Sequence, residues 1–267
     1  MIYEELVKAL DVKSDENIWL ASDIVKLALL CQKRGVPFDG SALLNAFQMA
    51  LGQEGTLILP TFCFNFSNHG RYDYVKDKGT AGVLGNIALG RADFMRTQHP
   101  MHSFAVWGKD QGLLCAMENK HAFGMDSPFE YCRTHHVRQI ILGTDYKHAM
   151  TFVHYAETMC HVPYRFPKSF TGVYVTKDGK EESRTYDYAA RRLEIQPEEK
   201  FNRIGAILEE KGIARQIDFC GYLSRSVDLA ASYNVICDDI LNNQCRNIYD
   251  FNVPREEIFA NFGQEAS

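Results

Sequence analysis

Apolar residues along the first 160 positions follow two patterns that alternate with each other. Continuous apolar, β-prone runs such as TLILPTF predict buried strands, and apolar residues spaced three to four apart predict helices. The pattern predicts helices at 2–10, 41–52, 82–92, 111–121, 127–136 and 151–160, and strands at 56–62, 103–108 and 137–145. Residues 16–33 fit a strand or a helix, and the polar, aromatic segment 64–79 is predicted to be a loop. Strands that alternate with helices favour an α/β fold with a sheet that contains parallel strands.

The pattern changes after residue 160. Two β-prone runs within 170–190 flank Asp178-Gly179, a dipeptide typical of a tight hairpin turn, so we predict a β-hairpin there. A helix is predicted at 198–211, and the mixed segment after it is predicted to end in a helix at 238–243.

Composition excludes several classes of protein. The 267 residues are 46 % hydrophobic and 24 % charged, which is ordinary for a globular protein. No apolar run approaches the roughly 20 residues that a membrane span needs. The start of the chain lacks the basic and apolar segments of a secretion signal, so we expect a cytoplasmic protein with no membrane partner. A net charge of −5 argues against a nucleic-acid partner and suits a neutral or cationic small molecule.

Eight cysteines are scattered along the chain, and no two of them have CxxC spacing. In the absence of such spacing we predict no metal site. A cytoplasmic protein keeps these thiols reduced, so we expect most of them to be small buried residues. The sequence leaves the oligomeric state open, a homodimer included.

Three segments place histidines, hydroxyls and acids inside otherwise apolar sequence. They are HPMHSFAVWG at 99–108, FGMDSPFEY at 123–131 and TFVHYAE at 151–157. Burying such groups is costly unless they have partners, so their concentration indicates a functional site. Together with GTLILPTF at 55–62, the sequences of these segments and their order along the chain resemble the aminoglycoside 3-N-acetyltransferase family of acetyl-CoA-dependent enzymes. The resemblance is good over residues 35–165 and weak elsewhere.

This resemblance implies an architecture and a co-substrate. The implied fold is α/β, a single α/β/α layered domain over residues 1–267 with a mixed, partly parallel central sheet. In that fold the hairpin at 170–190 and the segment 196–267 pack on the core. The implied co-substrate is acetyl-CoA, and the implied partner is a small-molecule amine acceptor.

The catalytic candidates lie in TFVHYAE. In the family the matching histidine is the proposed general base, so His154 is predicted to take the acceptor's proton. Glu157 and Thr151 lie three residues to either side, on the same helix face. Glu157 is predicted to orient the imidazole or bind an ammonium, and Thr151 to hydrogen-bond to His154 or to the thioester carbonyl. Without the resemblance, a lone histidine here is more often structural.

Five residues are predicted to contact acetyl-CoA. The resemblance places the turn bracketed by His99 and Ser103 beside its acetyl and pantetheine end. Ser127 opens a helix whose free amides suit a phosphate, and Arg96 can bind a phosphate bidentately. Ser22 is retained from an N-terminal segment that contacts CoA in the family. The structural alternatives are a hydrogen-bonded turn, a helix cap and a surface charge.

Four residues are candidates for binding the acceptor. Asp145 follows a predicted strand, where α/β proteins place functional groups, and Asp218 lies in a later apolar context. Either carboxylate suits an amine. Tyr72 and Asp73 lie in the predicted loop 64–79, and a tyrosine face suits a sugar ring.

The chain departs from the family pattern at several positions. Asn86 stands where the family often has glutamate, Ala81 where it has methionine, and Met150 where it has asparagine. Because a polycationic drug needs several carboxylates, we favour an amino-sugar acceptor, nucleotide-linked forms of surface-polysaccharide pathways included, acetylated by direct transfer. The alternatives are aminoglycoside resistance and a non-catalytic protein that binds sugar or CoA.

Overall fold

Twelve strands and twelve α-helices make up the part of the chain, residues 2–260, that the computed structural model describes. The strands are β1 (Asn17–Ser22), β2 (Thr56–Pro60), β3 (Arg71–Asp73), β4 (Met95–Arg96), β5 (Phe104–Gly108), β6 (Arg138–Leu142), β7 (Arg165–Val175), β8 (Glu181–Arg191), β9 (Glu198–Glu199), β10 (Ala214–Phe219), β11 (Tyr222–Asp228) and β12 (Tyr249–Asp250). The helices are α1 (Ile2–Ala9), α2 (Val25–Lys33), α3 (Gly40–Leu51), α4 (Asn65–His69), α5 (Val83–Leu89), α6 (Gln111–Cys115), α7 (Pro128–Thr134), α8 (Tyr146–Ala149), α9 (Val153–Met159), α10 (Phe201–Glu210), α11 (Leu229–Asn243) and α12 (Arg255–Ile258).

Seven strands form the central sheet, in the order β10-β11-β6-β1-β2-β5-β4. β1 pairs in parallel with β6 on one side and with β2 on the other. The remaining neighbours, β2 with β5, β5 with β4, β6 with β11 and β11 with β10, pair antiparallel. The prediction of a mixed, partly parallel sheet is therefore confirmed, with the parallel part in the middle.

The sheet is covered by helices on both faces. Side chains of a strand alternate between faces, so Leu57 and Leu59 of β2 enter one apolar cluster and Ile58 enters the other. The first cluster packs against α1, α2, α3 and α5, and the second against α7, α9, α10 and α11. This arrangement is the α/β/α layering that the resemblance implies.

A hairpin of two long strands, β7 and β8, stands beside the central sheet and pairs over all of both strands. Gly179 in its turn has φ of +81°, a conformation in which glycine avoids the strain of a side chain. β3 pairs in parallel with β7 and completes a second sheet. The prediction of a loop at 64–79 is therefore wrong in part, because the segment contains α4 and β3. β3 is too short to show a period, and its partner lies far along the chain.

Several helix ends differ from the sequence prediction because side chains cap them. Asp39, not Ser41, caps α3, since its carboxylate accepts hydrogen bonds from the backbone N–H of Ser41 and Ala42. Asp228 caps α11 through the N–H of Ala231, so this helix begins well before the predicted residue 238. Within 196–260, α10 and α11 contribute to the second apolar cluster, and residues 261–267 lie outside the described part of the chain.

None of the helices between residues 2 and 260 combines the length and the apolar character that crossing a bilayer requires.

α5 rests directly on the backbone at the carboxyl end of β2. A Cβ atom placed on Gly85 would lie 2.3 Å from the carbonyl oxygen of Pro60 and 2.9 Å from Cγ2 of Thr61. The helix can therefore keep this position only with glycine at the point of contact.

We expect Gly85→Ala to lower the free energy of unfolding by about 1–3 kcal/mol, because the methyl group collides with backbone that cannot yield. Gly112→Ala in α6 is the matched control, since a Cβ there meets nothing within 4 Å. That change should raise stability by about 0.5–1 kcal/mol through alanine's better helix propensity. Chemical denaturation measures both, and equal effects would contradict the close packing of α5.

Candidate active site

A cavity of about 740 Å³ opens where β1, β2 and β6 end. These three strands are parallel neighbours, so their carboxyl ends share one edge of the sheet, the usual place for a ligand in α/β proteins. The segments that follow the three strands line the cavity. The start of α5, His102 before β5, and β8 complete the lining. The lining residues include Ser22, Asp23, Phe62, Phe64, Thr80, Ala81, Gly82, His102, Thr144, His148, Thr151, His154, Tyr188 and Arg191.

His154 lies on α9 with one ring nitrogen held and the other exposed to the cavity. The side chain of Glu157, one helical turn on, brings its Oε2 within 2.8 Å of Nδ1 of His154. Nη2 of Arg165 lies 2.9 Å from the same nitrogen. Nε2 of His154 makes no hydrogen bond to the residues the structure describes and is not among the enclosed polar atoms. Because His154 lines the cavity, this nitrogen is the one a ligand can reach.

Glu157 is completely buried and is held by one cation, an imidazole and a phenol. Its Oε2 lies 2.7 Å from Nε of Arg165, and its Oε1 accepts a 2.9 Å hydrogen bond from the hydroxyl of Tyr164. Burial alone would raise the pKa of this carboxyl, but Arg165 and His154 outweigh it and lower the pKa to about 2. Glu157 is therefore an anion at neutral pH.

The same surroundings keep His154 neutral. Burial lowers the pKa of His154 below its usual value, and the charge of Arg165 lowers it further, while Glu157 opposes both. Glu157 can only accept, so the 2.8 Å contact is a charge-assisted hydrogen bond when the imidazole's single proton is on Nδ1. In this tautomer Arg165, which can only donate, acts on Nδ1 through its charge and makes no hydrogen bond to it. The lone pair on Nε2 then faces the cavity, which is the arrangement that a general base requires. Of the predicted catalytic residues, Thr151 and His154 line the cavity, and Glu157 lies behind His154.

Hydrogen bonds of the buried side chains of His99 and Ser103 hold the turn between these two residues in place. Nδ1 of His99 accepts hydrogen bonds from the N–H groups of Met101 and His102, and burial lowers the pKa of His99 to about 3. The hydroxyl of Ser103 lies 2.9 Å from that of Thr61 and donates to its carbonyl. Both side chains are enclosed, so the prediction that they contact acetyl-CoA is corrected: they hold the turn, and His102 between them lines the cavity.

Two more predicted CoA ligands are occupied elsewhere. Arg96 is buried and donates to Ser103 and to backbone carbonyls of three further residues, Thr61, Tyr74 and Asp77, so its donors are not available to a phosphate. The hydroxyl of Ser127 donates to the carbonyl of Gly124 rather than binding at the helix start. Ser22 alone of the five predicted CoA ligands lines the cavity.

None of the predicted acceptor ligands lines this cavity. Tyr72 is completely buried under the guanidinium of Arg96, and Asp73 accepts hydrogen bonds from the N–H groups of two residues in its own turn. Asp218 closes the turn between β10 and β11 by accepting from Gly221. Asp145 caps α8 and borders a second cavity of about 330 Å³.

That second cavity adjoins the first, because Thr144 and His148 line both. Lys26 and Arg225 add two positive charges to its lining. Between residues 2 and 260, no group of three or more histidine, cysteine or acidic side chains is placed to hold a metal ion.

Sequence reasoning missed the side chains that the hairpin supplies. Arg165 at the start of β7 holds Glu157, and Tyr188 and Arg191 of β8 form a wall of the cavity. Nothing local to these residues indicates that the hairpin packs over the strand ends. The sequence could have indicated His102, because it is a histidine inside a polar turn. The functional prediction was instead made for His99, three residues earlier.

Comparison with known proteins identifies the fold and the family. The family model of aminoglycoside 3-N-acetyltransferases matches residues 32–238. Aminoglycoside acetyltransferase AAC(3)-Xa is 18 % identical with a TM-score of 0.74 and covers 90 % of this chain and 93 % of its own. Sisomicin-bound AAC-VIa is 18 % identical with a TM-score of 0.73, covering 90 % and 97 %. AAC-IIIb in a binary complex with CoASH is 16 % identical with a TM-score of 0.73, covering 94 % and 97 %.

No curated protein sequence matches the chain significantly. At identities this low, the solved structures establish the fold alone, whereas the family model spans most of the chain. The chain belongs to the aminoglycoside 3-N-acetyltransferase family and is an acetyl-CoA-dependent N-acetyltransferase.

Proposed function

We propose that this protein transfers the acetyl group of acetyl-CoA directly to an amine of an aminoglycoside, with His154 as general base. The observation that carries the proposal is the chain Arg165–Glu157–His154, which holds Nδ1 of His154 and leaves Nε2 facing the cavity. We assign the lone pair to Nε2. The family match supports an aminoglycoside acceptor better than the amino sugar favoured from sequence. We further propose that the chain acts as one acetyltransferase domain, in the cytoplasm, where acetyl-CoA is available.

The reaction needs one base and no covalent intermediate on the enzyme. The amine nitrogen attacks the thioester carbonyl carbon, and Nε2 of His154 takes the proton that this nitrogen loses. The carbon–sulfur bond then breaks, and the leaving thiolate receives that proton, which gives the amide and free CoA. Glu157 stabilises the transient imidazolium because its charge lies against Nδ1.

A covalent route through Cys160 finds no support in the geometry. A hydrogen bond with Cys237 raises the pKa of the Cys160 thiol, burial raises it further, and Cys160 does not line the cavity. A thiol held in its neutral form is a poor nucleophile.

The two adjoining cavities fit the two ends of acetyl-CoA. The larger cavity has the size typical of small-molecule sites, and Ser22 and Thr151 line it. The smaller one offers Lys26, Arg225 and the imidazole of His148, whose Nδ1 contacts Asp145. We assign the phosphates to this basic cavity, in place of Arg96 and Ser127, since charge-assisted hydrogen bonds to phosphate are strong.

One observation favours a smaller acceptor as the second candidate. Among the residues that line the main cavity, Asp23 is the single carboxylate, and Arg191 adds a positive charge that Glu199 pairs. A drug with several ammonium groups gains little from such a lining, whereas a simple amino sugar needs one amine site. The non-catalytic alternative is set aside, because the family is enzymatic and the base is in place.

Lys26→Ala should raise the Kd of CoA about fivefold, because an exposed ion pair contributes up to about 1 kcal/mol. Isothermal titration with CoA and with acetyl-CoA measures the change. Lys8→Ala, an exposed lysine on α1, is the matched control and should leave both affinities unchanged. Failure of either ligand to bind the unmodified protein at millimolar concentration would contradict the assignment of acetyl-CoA.

His154→Gln should lower kcat by about 100- to 10,000-fold while the Kd of acetyl-CoA stays the same, because the base acts on the acceptor's proton. A base must be unprotonated, and the pKa of His154 is lowered from 6.5, so protonation of His154 should not reduce the wild-type rate near pH 7. The rate should fall only below pH 6.5, and we call this fall the acid limb of the pH profile. That acid limb should vanish in the variant. The control His69→Gln, at the exposed end of α4, should keep the wild-type rate and limb. A fully active His154→Gln enzyme would exclude the mechanism.

The acceptor is identified by CoA-thiol release and mass spectrometry of the product. We expect sisomicin-type aminoglycosides to be acetylated with a higher kcat/KM than glucosamine. The reverse order supports the second candidate and removes the first. Absence of turnover with both classes of acceptor would contradict both candidate functions. A parallel assay with heat-inactivated enzyme corrects for spontaneous thioester hydrolysis.

A further inference from the structure

His102 is the second histidine of the main cavity and has no role in the mechanism above. The ring of Phe123 contacts both imidazoles, with centroid distances of 4.8 Å to His102 and 5.7 Å to His154. The two histidines therefore lie on neighbouring parts of the same cavity wall.

The two ring nitrogens of His102 have different surroundings. Nδ1 is enclosed and has no hydrogen-bond partner. Nε2 also makes no hydrogen bond to the described residues, but it is not among the enclosed atoms, so it is open to the cavity.

These surroundings determine which nitrogen carries the proton. Burial lowers the pKa of His102 well below its usual range, and the charge of Arg165 acts in the same direction, so the ring is neutral. Nδ1 has no partner in either tautomer, which costs about 1–3 kcal/mol, but a buried N–H without an acceptor is rarer in proteins than a buried acceptor without a donor, so a bare Nδ1 is favoured. At Nε2 the N–H can bond to water or to a ligand in the cavity. His102 therefore presents a donor where His154 presents a lone pair.

The ring of His102 is also held in place. Its backbone N–H donates to Nδ1 of His99, and its ring stacks on that of Tyr188 at 5.6 Å and an interplanar angle of 10°. Phe62 and Phe64 pack at 5.0 and 5.5 Å. A donor fixed in this way needs no reorganisation when charge develops beside it.

We propose that His102 is a catalytic residue whose Nε2–H donates a hydrogen bond to the thioester oxygen during acetyl transfer. As the amine nitrogen attacks, the carbonyl π pair moves to this oxygen, and His154 takes the amine's proton. When the carbonyl re-forms, the carbon–sulfur bond breaks and the thiolate leaves with that proton. The inference rests on the proposed direct transfer and adds the group that stabilises its oxyanion.

Two substitutions separate a donor from a packing residue. His102→Gln keeps an N–H donor and loses the ring, whereas His102→Phe keeps the ring and loses the donor. We expect His102→Phe to lower kcat by about 100-fold, the loss typical of one oxyanion donor, with the Kd of acetyl-CoA unchanged. His102→Gln should keep more activity than His102→Phe, and both should retain the acid limb that belongs to His154. Any other ranking of the two variants, at equal Kd, overturns the inference.

A second measurement does not depend on turnover. Nitrogen-15 NMR of histidine-labelled wild-type protein distinguishes the two neutral tautomers, and the resonances that disappear in His102→Gln assign the residue. We expect a protonated Nε2 and a bare Nδ1 in His102, and the opposite tautomer in His154. A proton on Nδ1 of His102 overturns the inference. Absence of wild-type turnover with every acceptor would instead overturn the proposed function.

Discussion

The ion pair between Glu157 and Arg165 is the constraint on which the site depends. Both side chains are buried, and they come from different layers, Glu157 from α9 and Arg165 from the first residue of the hairpin. Removing one partner of such a pair typically costs about 3–5 kcal/mol, because the other charge stays buried without compensation. The pair therefore ties the hairpin to the helix that carries His154. It also keeps Glu157 ionised, so that an acceptor lies 2.8 Å from Nδ1 of His154.

The parts of the structure that sequence predicts well are those specified by neighbours in the chain. β2 and the end of β6 are short apolar runs, and burial on both faces of a sheet explains this composition. β1 carries polar residues at both ends, and its segment fits a strand or a helix. The pairing of His154 with Glu157 follows from one helical turn and needs no tertiary information. In contrast, β3 and the start of α11 depend on a distant strand and on a capping carboxylate, and the sequence pattern misplaces both.

The candidate site shows the same division. His99 and Ser103 were identified correctly as polar groups that need partners in an apolar region, but their partners are groups of the protein itself. Arg96, predicted as a phosphate ligand, is buried and bonds to the protein as well. Sequence reveals that a buried polar side chain must be satisfied and does not reveal the direction in which it points. Tyr188 and Arg191 escaped prediction altogether, since they reach the cavity only through the packing of the hairpin.

The hairpin also separates two kinds of wall in one cavity. The wall made by the strand ends and α9 holds His154, the proposed base, and packs on the core of the central sheet. Tyr188 and Arg191 form the other wall and belong to the second sheet. This sheet contacts the rest of the fold through Arg165 and through a bridge between His121 and Asp187, among other contacts. Under the proposed function, substitutions on this second wall can alter which amines fit while His154 and its partners stay in place. The division of the cavity between two sheets thus separates the residues that select the acceptor from those that carry out the reaction.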